Sequence, residues 1–344
     1  MTPDHTRVSE GRSGSGAEGS RAAAGSPAAI WSAMSIVYVV WGSTYLAIAL
    51  VIDTMPPLVA LGTRFLTAAA VLAAYVVVRR GRAVLVVTRA ELASSVLIGV
   101  LLLGVGMGVL AFAEKYVPTG IAALIVAVVP LWIVLLRAVT GDRPPWLTWV
   151  GVAIGLLGIA LLVLPGGHGD TDATATGQRT LWSLLMLGST FCWAFGTFLQ
   201  PRIPTPRDPL TLTTYEMLTG GVVLTVVGLL RGEHLSDMAS ASASSWWGWI
   251  YLVSFGSLVA FTAFVWVAGH APVSLVATYA YVNPVVAVLL GWWFRGESLT
   301  LGLLVGALVV VIGVALVVSA ERLTSRGGAS TEDELLTSPS QAEH

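Results

Sequence analysis

Two charged side chains lie inside apolar, helix-length stretches of this chain. Arg64 falls within residues 58–79 and Glu216 within 210–230, and the two are 152 positions apart. A charge in the hydrocarbon of a bilayer costs about 3 kcal/mol on insertion scales, so it usually faces a partner or a wet path. Arg64 could hold an anionic group, and Glu216 could bind a coupling proton because burial favours the protonated form of a carboxylate. The alternative for either residue is a bond to backbone groups, or a side chain that reaches the nearer membrane interface.

Three polar-tipped side chains precede a proline within residues 272–294. They are Tyr279, Tyr281 and Asn283, and Pro284 follows them. Proline lacks a backbone donor and leaves a carbonyl free, which is tolerated at membrane depth where the backbone is buried in protein or lines water. The pattern predicts a helix break at Pro284, with substrate hydrogen bonding by these three side chains. A kinked helix with the tyrosines packed between its neighbours is the alternative.

A corresponding proline, Pro130, lies within residues 118–138 and follows only aliphatic side chains. A second helix break is predicted there, beside an apolar face of the path. Residues 118–138 and 272–294 therefore share the positions of their prolines, but only the second stretch has polar side chains before the inner proline.

Aromatic and hydroxyl-bearing side chains form a third group in two other apolar stretches. They are Trp41, Ser43, Thr44 and Tyr45 within residues 30–52, and Trp193 and Thr197 within residues 180–200. Gly42 and Gly196 lie beside them and permit close helix approach or local unwinding. The group either lines a cavity or packs helices together, and the sequence favours neither.

All of these stretches belong to two copies of one unit. The pattern Pro118, Pro130 and Gly141-Asp142 recurs further along the chain as Pro272, Pro284 and Gly296-Glu297. Recurrence at a nearly fixed spacing indicates a duplicated unit. Each copy holds five apolar stretches, and an odd number makes the second copy enter the membrane from the opposite side. The copies are therefore predicted to form an inverted repeat.

We expect an all-α polytopic membrane protein with ten transmembrane helices in two inverted five-helix repeats. Spans 1 to 10 are predicted at residues 30–52, 58–79, 92–113, 118–138, 146–165, 180–200, 210–230, 246–268, 272–294 and 299–320. The first repeat is predicted at residues 30–165, a connector at 166–179 and the second repeat at 180–320. The polar tails 1–29 and 321–344 are expected to be disordered.

Composition favours this class and excludes others. The chain is 56% hydrophobic and 11% charged, whereas soluble domains carry roughly 25% charged residues. The net charge is −1 and there is no basic patch, so nucleic acid is not an expected partner. The single cysteine, Cys192, excludes an intramolecular disulfide.

The distribution of positive charge predicts the orientation in the cell membrane. With the amino terminus inside, 13 arginines fall in inside segments and four basic residues fall outside. Both termini are therefore predicted to be cytoplasmic. Arg64 and Glu216 then lie about 9 Å from opposite boundaries, which leaves roughly 12 Å of depth between them in a core about 30 Å thick. Whether they pair directly is left open.

Structural roles, and not substrate binding, are expected for the charged residues at the span ends and for the glycines of spans 5 and 10. Glu114, Lys115 and His270 are expected as interfacial charges, with local ion pairs for Asp142 with Arg143 and for Glu297 with Arg295. The glycine-rich spans 5 and 10 are expected to pack together as a peripheral scaffold.

The chain resembles the EamA family of the drug/metabolite transporter superfamily. The resemblance covers residues 30–320. It rests on the WGSTY stretch at 41–45, Arg64 after Pro56-Pro57, the proline-centred spans 4 and 9, and the glycine-rich spans 5 and 10. Asp142 departs from the glutamate that is common in the family. The resemblance implies ten helices in inverted repeats around a central substrate cavity, and movement of small metabolites, often outward.

We expect a secondary transporter that exports small metabolites by alternating access between the repeats. A cation and an anion near the path, together with aromatic residues, favour amino acids or their derivatives first and drugs second. Expected partners are the small-molecule substrate, the lipid bilayer and protons as coupling ion, in a monomer or weak homodimer; no cofactor or metal is expected. The alternatives are a membrane-embedded enzyme, for which the sequence lacks a metal cluster or a nucleophile–base set, and a non-transporting receptor or scaffold.

Overall fold

A computed structural model describes residues 26–163, 173–271 and 273–337, and within these ranges the chain is helical and contains no strand. The ten spans are seen at Pro27–Ile52, Pro57–Arg80, Arg89–Ala113, Thr119–Val139, Trp146–Val163, Ala173–Leu199, Pro209–Leu230, Ala243–His270, Val273–Arg295 and Leu301–Thr337, and spans 3, 4, 8 and 9 are each divided into shorter helical segments. Short 3-10 helices follow spans 2, 6 and 7, at Arg82–Leu85, Gln200–Arg202 and Leu235–Ser240.

The span starts are encoded locally. Proline occupies the first turn of spans 1, 2 and 7, where its missing N–H costs nothing. Thr88 and Glu91 form a reciprocal capping box at the start of span 3, which satisfies two backbone donors that the helix leaves free. The side chains of Asp208 and Ser242 cap spans 7 and 8 by accepting from backbone nitrogens of the first turn.

Spans 3 and 8 each contain an eight-residue π-helical segment, at Val100–Met107 and Leu252–Val259. These segments occupy equivalent places in the two repeats, since their first residues are separated by the same 152 positions as Arg64 and Glu216. Neither segment is predicted from the sequence. Such wide turns occur often at functional sites, and both π segments face the helices that carry Arg64 and Glu216.

Spans 4 and 9 are both interrupted, but at different places relative to their prolines. In span 4 the helix Thr119–Val126 ends and Val129–Val139 begins with Pro130 in its first turn. In span 9 the interruption lies at residues 277–278, and Pro284 lies inside the helix Tyr279–Arg295. The predicted break at Pro284 is therefore wrong.

The interruption of span 9 explains why fewer helices than spans are long enough to cross a membrane in the described residues. Nine helical stretches in the described residues are long and apolar enough to cross a membrane. The ninth span is not among them, because its longer helix, Tyr279–Arg295, has 17 residues. A divided helix leaves backbone groups free, and these are tolerated where the span is enclosed by protein.

The two repeats interlock across a contact between spans 2 and 7. A Cβ atom on Gly62 would lie 2.7 Å from the Thr225 nitrogen, and one on Gly221 would lie 2.9 Å from the Gly62 carbonyl. Only glycine allows the two backbones to approach this closely. Span 2 also packs on the π segment of span 8, and span 7 packs on the π segment of span 3.

Spans 5 and 10 pack together along their glycines, as predicted. A Cβ atom on Gly151 would lie 2.8 Å from the Val317 nitrogen, and one on Gly158 would lie 2.6 Å from the Val310 nitrogen. Small residues let these helices meet backbone to backbone.

Two predicted segment boundaries differ from the structure. Span 6 begins at Ala173, inside the predicted connector 166–179, and the last helix continues to Thr337, inside the predicted tail. Residues 1–25, 164–172, 272 and 338–344 lie outside the described residues.

Candidate functional site

One turn of span 1, around Trp41, joins spans 8 and 9. The indole Nε1 of Trp41 donates a hydrogen bond to the carbonyl oxygen of Gly256, at 3.3 Å. The Trp41 ring also contacts Phe264 and Tyr279, with centroid distances of 5.0 and 5.4 Å. The π segment and the broken helix of the second repeat therefore meet at this turn. We call the surroundings of this turn the central site, formed by Trp41, Arg64, Ser257, Tyr279 and Asn283.

Arg64 is the charged member of the central site and is only 4% exposed. Its Nε donates to Ser257 Oγ at 3.1 Å, and its guanidinium carbon lies 4.7 Å from the centre of the Phe65 ring. Nη1 is buried without a hydrogen-bond partner, and among the described residues no carboxylate forms an ion pair with Arg64. Burying an unpaired charge is costly, so Nη1 is a donor available to an anionic ligand.

Asn283 of span 9 lies near the same turn of span 1. Its side chain is 9% exposed and its Oδ1 is buried without a hydrogen-bond partner. Span 9 approaches span 1 closely here, because a Cβ atom on Gly42 would lie 3.1 Å from the Asn283 carbonyl oxygen. Tyr279, one turn earlier, packs its ring against Trp41 and Phe264. The central site thus combines one unfilled donor, one unfilled acceptor and aromatic rings.

The other hydroxyl-bearing residues singled out in the sequence have their hydrogen bonds satisfied. Thr44 Oγ1 donates to the Trp41 carbonyl at 2.6 Å, and Thr197 Oγ1 donates to the Trp193 carbonyl at 3.0 Å. Ser43 Oγ donates to the Val40 carbonyl and contacts the Tyr251 hydroxyl at 2.6 Å. These groups are already used within the protein.

The remaining predicted residues lie in the core or in the other half of the bundle. Tyr45 is buried in the main hydrophobic core, and Tyr281 is partly buried against it. The Trp193 ring lies 2.9 Å from the position that a Cβ atom on Gly106 would take, so it packs on the π segment of span 3. Trp193 and Thr197 correspond to Trp41 and Tyr45 at the 152-residue spacing of the repeats. The Trp193 ring packs on a different π segment from the one that holds Ser257.

Glu216 and Arg64 face different helices and form no ion pair in the described part of the chain. Glu216 is 8% exposed, its Oε1 has no hydrogen-bond partner, and its backbone carbonyl lies 2.7 Å from the Cβ position of Gly99 in span 3. Arg64 instead meets Ser257 in span 8. The direct pair that the sequence left open is absent here, and each charge faces the opposite repeat.

Ser257 is a site residue that was not predicted from the sequence. It is 2% exposed and is the hydrogen-bond partner of the Arg64 Nε. The available signal is weak, because Ser257 is one of several hydroxyl-bearing residues in this span, with Ser254 and Thr262 close by. The width of the π turn, which the sequence does not predict, determines where this hydroxyl lies.

A second cluster of charged residues lies at the end of the bundle away from Pro27, which we call the distal end. Glu297 Oε1 accepts hydrogen bonds from the backbone nitrogen and the hydroxyl of Thr119, both at 2.8 Å, and Oε2 accepts one from the Gly120 nitrogen at 3.3 Å. Glu297 therefore caps the start of span 4, where a helix favours a negative charge. Arg295 pairs with Asp53 at 2.5 Å, so the predicted pair of Glu297 with Arg295 is wrong.

Two other span-end predictions, for Asp142 and Glu114, are also corrected. Asp142 forms its ion pair with Arg137, at 2.5 Å, and its contact with Arg143 is a hydrogen bond accepted from the backbone N–H. The hydrogen bond from Arg137 holds the pKa of Asp142 below its usual value. Glu114, expected as an interfacial charge, is 8% exposed, and neither of its carboxylate oxygens has a hydrogen-bond partner.

Comparisons with known proteins agree with this architecture. The sequence matches the EamA-like transporter family over residues 29–164 and 180–319. It is 37% identical over 289 residues to "Uncharacterized inner membrane transporter YedA" of Escherichia coli strain K12, covering 82% of this chain and 90% of that protein. It is 27% identical over 296 residues to "Probable terminal-alkyne amino-acid exporter" of Streptantibioticus cattleyicolor, covering 84% and 93%. One crystal structure, 20% identical in sequence, has a similar fold with a TM-score of 0.58 and covers 83% of this chain and 97% of that one.

Proposed function

Since this chain belongs to the EamA-like transporter family, we propose that it exports amino acids or their derivatives by alternating access between its two inverted repeats. It is a membrane transporter of small metabolites and a multi-pass protein of the plasma membrane. What we propose beyond this is the class of substrate, the direction of transport and the coupling ion.

The unfilled donor of Arg64 is the observation that carries the substrate class. A substrate carboxylate can accept from Nη1, and charge-assisted hydrogen bonds of this kind are roughly twice as strong as neutral ones. The Oδ1 of Asn283 can accept from the amino group of the same molecule, while the rings of Trp41 and Tyr279 offer an apolar surface to its side chain. An amino acid carries all three features. The name of the exporter from Streptantibioticus cattleyicolor supports this class.

The distribution of positive charge supports an orientation for the proposed transport path. If both termini are cytoplasmic, the distal end faces outward, and export moves the substrate from the Pro27 end towards Thr119 and Glu297. The pseudo-symmetric contacts of spans 2 and 7 support alternating access, because each repeat rests on a π segment of the other. Rocking of the repeats about these contacts would expose the central site to each side in turn.

The proposed transport is tested with purified protein in liposomes. Radiolabelled amino acids, their carboxamides and a hydrophobic drug are each offered with and without a proton gradient. We expect gradient-dependent movement of the amino acids and little movement of the carboxamides. Preferred movement of the drug would favour a drug exporter, and no movement of any compound under any gradient would contradict the proposal.

Glu216 is proposed as a coupling residue because its carboxylate is buried and incompletely hydrogen-bonded. We predict that Glu216→Gln, which cannot exchange a proton, transports without responding to a proton gradient. The measurement compares initial rates at equal and unequal pH across the liposome membrane. As a matched control, Glu233→Gln changes a carboxylate that accepts backbone hydrogen bonds from Leu58 and Val59, and it should keep the gradient response. A gradient response that persists in Glu216→Gln removes this residue from coupling.

A further inference from the structure

Glu114 is a buried carboxyl group without a hydrogen-bond partner, outside the central site. It directly follows the end of span 3 at Ala113, at the distal end. It is 8% exposed, and both of its carboxylate oxygens are buried and unpartnered. A charged carboxylate in such surroundings is strongly disfavoured, so this position calls for a neutral, protonated acid.

The charged and titratable groups around Glu114 come from its own segment and from spans 1, 7 and 9. Glu297 and Arg295, at the end of span 9, interact with it electrostatically, and so does Tyr45 of span 1. Arg295 is engaged by Asp53 through two hydrogen bonds, of 2.5 and 3.2 Å. On its own segment, the neighbouring Lys115 lies over the Phe112 ring, which Arg231 also approaches. The strongest nearby charge is therefore another carboxylate, that of Glu297.

We propose that Glu114 is a proton-binding site that controls the distal end of the transport path. With its proton, Glu114 tolerates the neighbouring Glu297 carboxylate, which holds the start of span 4 against the end of span 9. Without its proton, two carboxylates repel each other and the contact between Glu297 and Thr119 is released. This inference rests on the proposed alternating access and adds a proton site distinct from Glu216.

The sign of the pH dependence follows from the local environment. Burial raises the pKa of Glu114 well above its ordinary value, and the charge of Glu297 raises it further, whereas Arg295 opposes the shift. A raised pKa means that the closed arrangement is favoured at low pH and loses this stabilisation as the pH rises through the raised value. The distal end should therefore open as the pH increases.

The test measures access to the distal end without any substrate. Cys192 is replaced by serine, and Ala122, a fully buried residue in the first helix of span 4, is replaced by cysteine. The rate of labelling by a membrane-impermeant maleimide is then measured against pH, after correction for the thiol's own titration. We expect the corrected rate to rise about tenfold per pH unit across the titration, since one proton is coupled to a two-state change.

Two substitutions decide whether Glu114 is responsible. Glu114→Gln imitates the protonated acid and is expected to keep labelling slow at every pH. Glu297→Gln removes the charge that raises the Glu114 pKa and repels its carboxylate, so the pH-dependent rise in labelling should become smaller and its midpoint should move to lower pH. Glu233→Gln, at the same end of the bundle, should keep the original pH profile. A flat profile in the parent, or the parent profile in Glu114→Gln, overturns the proposal. Because the labelling needs no substrate, this outcome is separate from the result of the liposome assay.

Discussion

Replacing Arg64 with glutamine is expected to weaken binding of amino-acid carboxylates about 10- to 100-fold. A hydrogen bond to a charged group contributes about 1.5–3 kcal/mol, and each 1.4 kcal/mol is about tenfold in affinity. The Nη1 donor is buried and unfilled in the free protein, so a carboxylate gains this interaction without displacing a protein partner. The effect is measured as the inhibition constant for competition with a labelled substrate in liposomes.

The carboxamide of the same amino acid separates binding from folding. If Arg64 contacts the carboxylate, Arg64→Gln weakens binding of the acid clearly more than binding of the carboxamide, whose uncharged oxygen accepts a weaker hydrogen bond. Arg64→Lys keeps the charge but loses the planar guanidinium that bonds Ser257, and it should fall between the two. An equal loss for acid and carboxamide would assign Arg64 a purely structural role.

Replacing Gly313 with leucine is expected to destabilise the protein by about 3 kcal/mol, at the upper end of the usual cost of overpacking. A Cβ atom on Gly313 would lie 2.5 Å from the Gly155 Cα and 2.9 Å from the Gly151 carbonyl oxygen. Both neighbours are backbone atoms, so no side-chain rotation can relieve the clash. Spans 5 and 10 would have to separate along the whole contact. Thermal unfolding in detergent measures the loss as a lower melting temperature.

Gly188 provides a matched control for this substitution. It also lies within a membrane-spanning helix, and a Cβ atom there would meet nothing within 4 Å. Gly188→Leu should therefore change the free energy of unfolding by less than about 0.5 kcal/mol. Similar melting temperatures for the two leucine variants would mean that the contact between spans 5 and 10 adds little to stability.

Local sequence features predict much of this fold. Proline and glycine restrict or free the backbone at single positions, so their recurrence at a fixed spacing is enough to reveal the duplication. A charge within an apolar stretch is equally visible, and this is why Arg64 and Glu216 could be singled out. The predicted packing of spans 5 and 10 also holds, because small residues at helical spacing directly permit close contact.

Features that depend on contacts between distant segments could not be predicted. The π segments have no distinct local signal, and they place Ser257 beside Arg64. The proline predicts a break at Pro284, but span 9 is interrupted before Tyr279 and Pro284 lies inside the following helix. The position of the interruption therefore depends on packing against other helices and not on the proline alone. Glu114 looks like an interfacial charge in the sequence, and only the folded structure shows that its carboxylate is buried.

The interlocking of the two repeats has a consequence for how the chain is made. Arg64 and its hydrogen-bond partner Ser257 are separated by 193 residues, which takes roughly 10–40 s to synthesise at about 5–20 residues per second. During this interval span 8 does not yet exist, and the guanidinium can be solvated only by reaching the headgroup region. We therefore expect span 2 of the nascent chain to lie closer to the headgroup region of the membrane than in the finished protein, until span 8 has been synthesised. Cross-linking of residue 64 to lipid in stalled chains of increasing length would detect the moment at which it moves into place.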